Sequence, residues 1–559
     1  MRGKTVLFLF LFTLSSTTAA MAISSINVPL DNWAYPALEK LDGFGLLRSD
    51  LPGIRPFTRM EVARLVQEAL TEKEYLSTPL PPLAGYLLDK FKREYKAELG
   101  AYGGEGGAPP STYIKPIEEV QARYVYLDGE PRAFLNIDRF GQGQYPKSRY
   151  GIIASEGTPL VYNNEGVVYG KNNNFSLQFS SSFRYLNIFS GYLEPLLVAR
   201  QHEGRISNFS AIDIQSLPGH LGQFDHVEVD LLKGYGKISP WNVELEVGRD
   251  SMWWGNGRHG EFIFTNNAAP LPMLKLSNPI PSLLPWYFRY LGPFKYSFFA
   301  SRLEDDRVIQ HPLLMGVRAD FKPLPILEIG FNTTFISSGK GQPPLTASDF
   351  FSAVFGFGFG VKNELDQRAG MDVRLQLPFL RNTEIYVEYA GEDSGGPQYP
   401  EEWLGLGDIG WLVGVYVPRL TDDGRSDLRL EFAHNAHRVD STPGFWYGNG
   451  QFKSGYTYEG MILGHHMGGD AVDVFVRTTR YIRNDLVLGL DYDHMTRGIT
   501  LNEITNEHVN QFGADLTYEV RDDLSITARY GFETVDNWNL VRGENRQNHL
   551  LMTGIKLDF

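Results

Sequence analysis

Apolar and polar residues alternate one for one along much of this chain, most cleanly near its end. From position 511 one parity reads Phe512, Ala514, Leu516, Tyr518 and the other Gln511, Gly513, Asp515, Thr517, Glu519. After Val520-Arg521-Asp522 the pattern resumes as Leu524, Ile526, Ala528, Tyr530, Phe532 against Asp523, Ser525, Thr527, Arg529, Glu533. A period of two puts each set on its own face of a strand. A face this charged cannot be a second buried core, and an apolar face this clean needs an apolar partner. Further strands are expected at 227–231, 243–247, 371–377, 385–389, 428–432, 472–476 and 486–492. Their off-parity residues include Glu246, Asp372, Arg374, Glu431, Asp473 and Asp493. A charge facing lipid near the bilayer midplane costs ~2–4 kcal/mol. These side chains must therefore line a wet interior while every second neighbour meets lipid.

Counting weaker candidates gives about eighteen strands, an even number, as single-chain bacterial barrels have. The chain stops on Leu551, Thr553, Ile555, Leu557, Phe559. A strand ending on a carboxy-terminal Phe resembles the closing strand of bacterial outer-membrane barrels. Gly554, Leu557 and Phe559 fit that signal's spacing, and Met552 stands where a polar residue is more usual. The expected fold is an all-β membrane barrel, antiparallel, over 118–559 in the bacterial outer membrane, with outer-membrane lipid around it. Tight breaks such as Arg483-Asn484-Asp485 suit periplasmic turns. Insertions at 200–222, 249–293, 337–363 and 440–469 suit extracellular loops or loops folded into the lumen.

Composition sharpens this. Of 559 residues 42% are hydrophobic and 13% aromatic, yet no run in the mature chain approaches the roughly 18 apolar residues of a membrane helix. A barrel escapes that test because alternate residues alone meet lipid. The 29 Tyr and 36 Phe suit interface girdles. A net charge of -14 argues against nucleic acid as a partner, which needs a basic footprint. With no cysteine, disulfides and thiolate metal sites are excluded.

The amino terminus differs from the rest. Arg2 and Lys4, an apolar core at 6–14, and Ala20-Met21-Ala22 form a signal peptide expected over 1–22. Asp31, Trp33, Ala34, Tyr35, the Gly43/Gly45 turn, Pro56 and Thr58-Arg59-Met60-Glu61 follow in order. Thr58 can cap a helix running to about Leu70, with Glu61 completing a capping box. Another helical stretch is expected at 83–99. This segment resembles an S-layer homology module, in a single copy rather than the usual three. The resemblance implies a periplasmic helical domain over 23–99 that tethers the barrel to peptidoglycan through Asp31, Trp33, Arg59 and Glu61. The alternative is a helical unit that simply packs on the barrel's periplasmic mouth. Gly-rich residues 100–117 read as a linker.

The most distinctive insertion reads Gly248-Arg249-Asp250-Ser251-Met252-Trp253-Trp254-Gly255-Asn256-Gly257-Arg258-His259-Gly260 and continues through Asn266-Asn267-Ala268-Ala269-Pro270-Leu271-Pro272. It resembles the most recognisable segment of the Wzi-type capsule assembly proteins. That resemblance implies an eighteen-stranded outer-membrane barrel acting as a lectin that holds capsular polysaccharide on the cell surface. Sugar recognition combines flat aromatic faces with fixed hydrogen-bonding groups. Trp253, Trp254, Arg258, His259, Asn266 and Asn267 supply both kinds, and Trp446 and Tyr447 form a second candidate platform. The tryptophans suit plug or girdle packing equally well, and the Asn pair suits turn caps. The rival reading is a sugar-conducting porin, whose lumen would be equally acidic and aromatic. No catalytic group, cofactor or metal set is expected. His434 and His437 fall on opposite strand faces, and His465-His466 near Asp470 stand isolated.

Overall fold

The structure is a computed structural model. It describes residues 23–76, 79–103, 109–134, 154–202, 204–205, 223–355, 365–392, 409–436, 446–449, 451–500 and 505–559. The expected signal peptide lies outside these residues.

Eighteen antiparallel strands close into a barrel. They begin with β1 (Tyr113–Leu127), β2 (Asn172–Tyr185), β3 (Phe189–Arg200), β4 (Val227–Ile238), β5 (Glu244–Asp250), β6 (Leu271–Ser277), β7 (Pro293–Arg302), β8 (Leu313–Leu324) and β9 (Leu327–Ser337). There follow β10 (Asp366–Leu377), β11 (Thr383–Glu392), β12 (Ile409–Val417), β13 (Ser426–His434), β14 (Ala471–Arg483), β15 (Leu486–Arg497), β16 (Glu507–Arg521), β17 (Leu524–Asp536) and β18 (Arg546–Asp558). Each pairs with the next in sequence, and β18 returns to β1 with Glu119 opposite Asp558 and Leu127 opposite Leu550. Closure leaves no strand edge unpaired in a solvent that cannot hydrogen-bond it.

Parity decides the facing as expected. Phe512, Ile526, Tyr530 and Ile555 point outward and are 51%, 40%, 48% and 53% exposed, whereas Glu246, Asp372, Glu431 and Asp473 are buried inside. Inward charges pair across neighbouring strands. Arg477 and Arg529 each reach both Asp491 and Asp515. Among the described residues no helix is long and apolar enough to cross a membrane.

Short connections such as 325–326, 484–485 and 522–523 gather at one end, and long ones such as 251–270 at the other. The expected insertion 249–293 is interrupted by β6. Its inward side mixes Leu271 and Met273 with Lys275 and Ser277, so the alternation is blurred to a reader of the sequence. Strand β1 begins at Tyr113, inside the stretch read as linker.

Among the described residues four helices precede the barrel: α1 (Ala34–Gly43), α2 (Arg59–Tyr75), α3 (Pro82–Glu94) and α4 (Lys96–Gly100). Leu38, Leu41, Leu65, Val66, Leu87 and Phe91 give them a core of their own. The helix expected at 83–99 is divided at Tyr95. Thr58 Oγ1 accepts from the Glu61 N–H at 3.1 Å and starts α2. The expected return half of the capping box is not made: Glu61 instead places both oxygens 2.8 Å from Lys295 Nζ on β7. A buried cation competes better for a carboxylate than a backbone N–H does.

Candidate functional site in the barrel lumen

The helical unit seals the short-turn end of the barrel and sends a loop into the lumen. There Ile54–Arg55 pairs antiparallel with Trp253–Trp254, and Gly255 N donates to Gly53 O at 2.8 Å. The Arg55 guanidinium lies 5.0 Å over the Trp253 ring and donates to the carbonyls of Gly255 and Gly257. Any side chain at Gly53 would collide with Arg318, Asp320 and Glu328 of the wall.

Charges hold this unit in place. Arg374 on β10 donates to Asp42 at 3.0 Å and Asp50 at 2.6 Å, and Lys322 on β8 also pairs with Asp50. Lys40 meets Asp427 at 2.9 Å, and Glu39 binds both Arg258 and Arg429. Burial pushes the Asp50 carboxyl up, but Arg374 and Lys322 outweigh it and hold it below the usual range. In the same way burial opposes, and Arg258 and Arg429 overcome, so that Glu39 is pulled down to about 2.

The residues of the tether expectation take part in this docking. Asp31 pairs with Arg123 of β1 at 3.1 Å. Trp33 packs on Phe91 with ring centroids 4.5 Å apart, and its Nε1 donates to Glu94 at 2.8 Å. Arg59 binds Glu98 at 2.7 Å and lies over Tyr95, while Glu61 holds Lys295. Each of the four has a partner within the unit or on the wall.

The long-loop end is filled differently. Segments 251–270, 446–449 and 451–470 fold inward around a shared apolar core of Trp254, Phe262, Phe264, Trp446, Tyr447 and Met467. Trp254 packs against Phe299 of β7 at 5.3 Å. The Tyr447 hydroxyl donates to Phe262 O at 3.1 Å and accepts from His465 N at 2.8 Å. Asn267 Nδ2 donates to Ile462 O at 3.1 Å, and the carbonyls of Asn266 and Asn267 accept from the N–H groups of Glu165 and Gly166. The N–H groups of Arg258 and His259 both donate to the Glu431 carboxylate of β13, at 2.8 and 2.9 Å. Glu261 accepts from Gly257 N; burial, then the facing Glu388 carboxyl, pushes it well above the usual carboxylate range.

The expected sugar platforms are thereby corrected. Trp253, Trp254, Trp446 and Tyr447 retain 4%, 0%, 1% and 0% of their surface, so no sugar ring reaches their faces. Arg258, His259, Asn266 and Asn267 join loop to loop and loop to wall. Their chemistry is that of a plug. In the sequence His466 stands isolated and Asp473 and Asp493 are merely on the inward face, whereas the structure brings all three to His259 from three separate elements. Their inward parity was legible; their meeting was not. His434 stacks on Trp411 at 5.5 Å, and His437 lies outside the described residues.

The model of the capsule assembly protein Wzi family matches residues 142–550. The chain belongs to the Wzi capsule assembly family. A 55.8 kDa protein in the cps region of Klebsiella pneumoniae is 30% identical over 197 residues, which is 33% of this chain and 38% of that protein. The chain thus spans well under half the length of that relative in the matched region. The structure of Wzi, an outer-membrane protein involved in group 1 capsule assembly in Escherichia coli and described as a carbohydrate-binding β-barrel, superposes with a TM-score of 0.64 at 18% identity. The superposition covers 97% of this chain and 100% of that one, a likeness of fold. The protein is an outer-membrane β-barrel of this family.

Proposed function

We propose that this protein binds capsular or other surface polysaccharide and retains it at the cell surface. The observation that carries the reading is a lumen filled from both ends in a member of a capsule assembly family. A barrel packed in this way serves as a platform, not a conduit, and this favours retention over the sugar-conducting porin. The related Escherichia coli protein is described as carbohydrate-binding, which supports the same assignment. The short-turn end and the helical unit face the periplasm, as short turns do in such barrels. Sugar contact then falls to the long loops, with Trp253, Trp254, Trp446 and Tyr447 holding those loops from beneath.

The test pairs two measurements on the purified full chain in detergent. Pull-down of the producing cell's own surface polysaccharide is expected to succeed, and planar bilayers are expected to show a closed barrel. A stable open conductance without polymer binding overturns the reading in favour of the porin. A tether to peptidoglycan is a second reading for the helical unit. It is supported by a cavity of about 300 Å³ between that unit and the wall, lined by Arg59, Lys90, Arg93, Glu119 and Asp558 among others. Co-sedimentation with purified sacculi, lost in Arg93→Ala, supports it; sedimentation unchanged in that variant, or none, removes it.

A further inference from the structure

We propose that the lumen holds a divalent transition-metal site formed by His259, His466, Asp473 and Asp493. Its role is to staple both inward-folded loops to the barrel wall.

Four donors converge from four places in the sequence. His259 comes from the loop after β5, His466 from the loop before β14, Asp473 from β14 and Asp493 from β15. One donor atom from each lies within 4.8 Å of all the others. His259 Nε2 stands 3.2 Å from Asp493 Oδ2 and 3.6 Å from Asp473 Oδ2, and His466 Nε2 stands 3.6 Å from Asp473 Oδ2. A tetrahedral ion with nitrogen and oxygen ligands at ~2.0–2.2 Å spaces its donors about 3.3–3.5 Å apart. The three separations bracket that spacing, and the two at 3.6 Å are longer than good hydrogen bonds.

Burial and charge point the same way. The side chains of His466, Asp473 and Asp493 are 1%, 2% and 3% exposed. All four oxygens of the two aspartates, both ring nitrogens of His466 and Nε2 of His259 are buried with no hydrogen-bond partner among the described residues. Buried carboxylates are ordinarily paired or bind metal. Elsewhere on these strands the rule is met by guanidinium groups: Asp491 has Arg477 and Arg529. Among the described residues, the ion-pair contacts of Asp473 and Asp493 are with the two imidazoles. Two carboxylates carry the charge that a divalent cation cancels. Imidazole with carboxylate suits Zn²⁺ and its first-row neighbours.

The surroundings fix the imidazoles. The His259 ring lies flat on Phe475, 3.8 Å between centroids and 6° between planes. The His466 ring stacks on Tyr162 at 4.1 Å. A metal here would join both plug loops to adjacent strands, so its binding energy adds directly to the stability of the filled lumen.

The test uses the untagged full chain in detergent, stripped with chelator and dialysed against Zn²⁺ or Co²⁺. About one ion per chain is expected, with the visible absorption of tetrahedral Co²⁺. Asp473→Asn and His466→Gln keep side-chain volume and are expected to weaken binding by at least about 100-fold, since losing even an outer partner costs ~10–100-fold. His494→Gln, whose ring contacts Asn510 and Thr496, serves as the control and is expected to bind as the parent does. Heat-modifiable gel migration verifies that each variant is a folded barrel. A folded parent that takes up no ion overturns the proposal, as does equal uptake by the folded ligand variants. Should the ligand variants fail to fold, the Co²⁺ spectrum of the parent decides: tetrahedral bands support the site, and octahedral bands overturn it.

Discussion

Two plugs enter one barrel from opposite ends, and they are held by different physics. The helical unit has its own core and meets the wall through charges: Glu39, Lys40, Asp42, Asp50 and Glu61 against Arg429, Asp427, Arg374, Lys322 and Lys295. Among the described residues the loop plug shares its core with the wall, Trp254, Phe262 and Trp446 clustering with Leu412, Ala433 and Met495. The wall itself changes character along each strand. On β8 the inward positions run from Leu314 through Gly316 to Arg318, Asp320 and Lys322 toward the short-turn end. One end was built to receive a preformed charged body and the other to be completed by its own loops. The charged contacts weaken as their carboxylates are protonated; the aromatic core at the other end carries no such charge.

The largest effect is expected at the apolar plug. Trp254→Ala removes a fully buried ring from the shared core and should cost ~3–5 kcal/mol. It should lower the temperature at which the folded gel band is lost, with little dependence on salt. A strongly salt-dependent loss would erase the contrast between the two ends.

At the charged end, Arg374→Ala leaves Asp42, Asp50 and Glu328 without their shared cation and should cost about 3 kcal/mol. The loss should appear as faster hydrogen exchange in α1 and at 51–57 while the strands stay protected. Uniform loosening of the barrel would mean that the two plugs are one cooperative body.

Acid offers a graded version of the same test. Glu39 is held at about 2 against an ordinary 4.5. A depressed carboxylate stabilises docking in full above about pH 4.5 and loses that contribution as pH falls through about 2. Exchange in α1, scaled to the intrinsic amide rate at each pH, should therefore be unchanged between about pH 7 and 5 and rise as pH approaches about 2. A rise already near pH 5 would show that another group controls the docking.

The smallest effect is local. Thr58→Ala removes the cap of α2 and should cost about 1 kcal/mol in the helical unit alone. Intact-barrel melting that shifts as much as the helical signal would again argue for a single body.

The barrel was legible because lipid enforces a rule on every second residue. Ile526 and Arg529 belong to opposite faces whatever else the chain does, and a one-residue slip would set Arg529 against hydrocarbon. Helix α2 could be placed from Thr58 because capping is local. The tryptophan pair was visible as a cluster, but its burial was not, since an aromatic loop reads alike whether it faces a sugar or a core.

Sequence alone determined the alternation, the inward charges and the presence of a separate helical unit, because each follows from neighbours within a few positions. Tertiary structure decided which inward charge meets which plug. Asp42 and Arg374, or His259 and Asp493, are hundreds of residues apart and become partners only when the strands close. Ring closure fixes the positions of all eighteen strands together, and no local pattern carries that information.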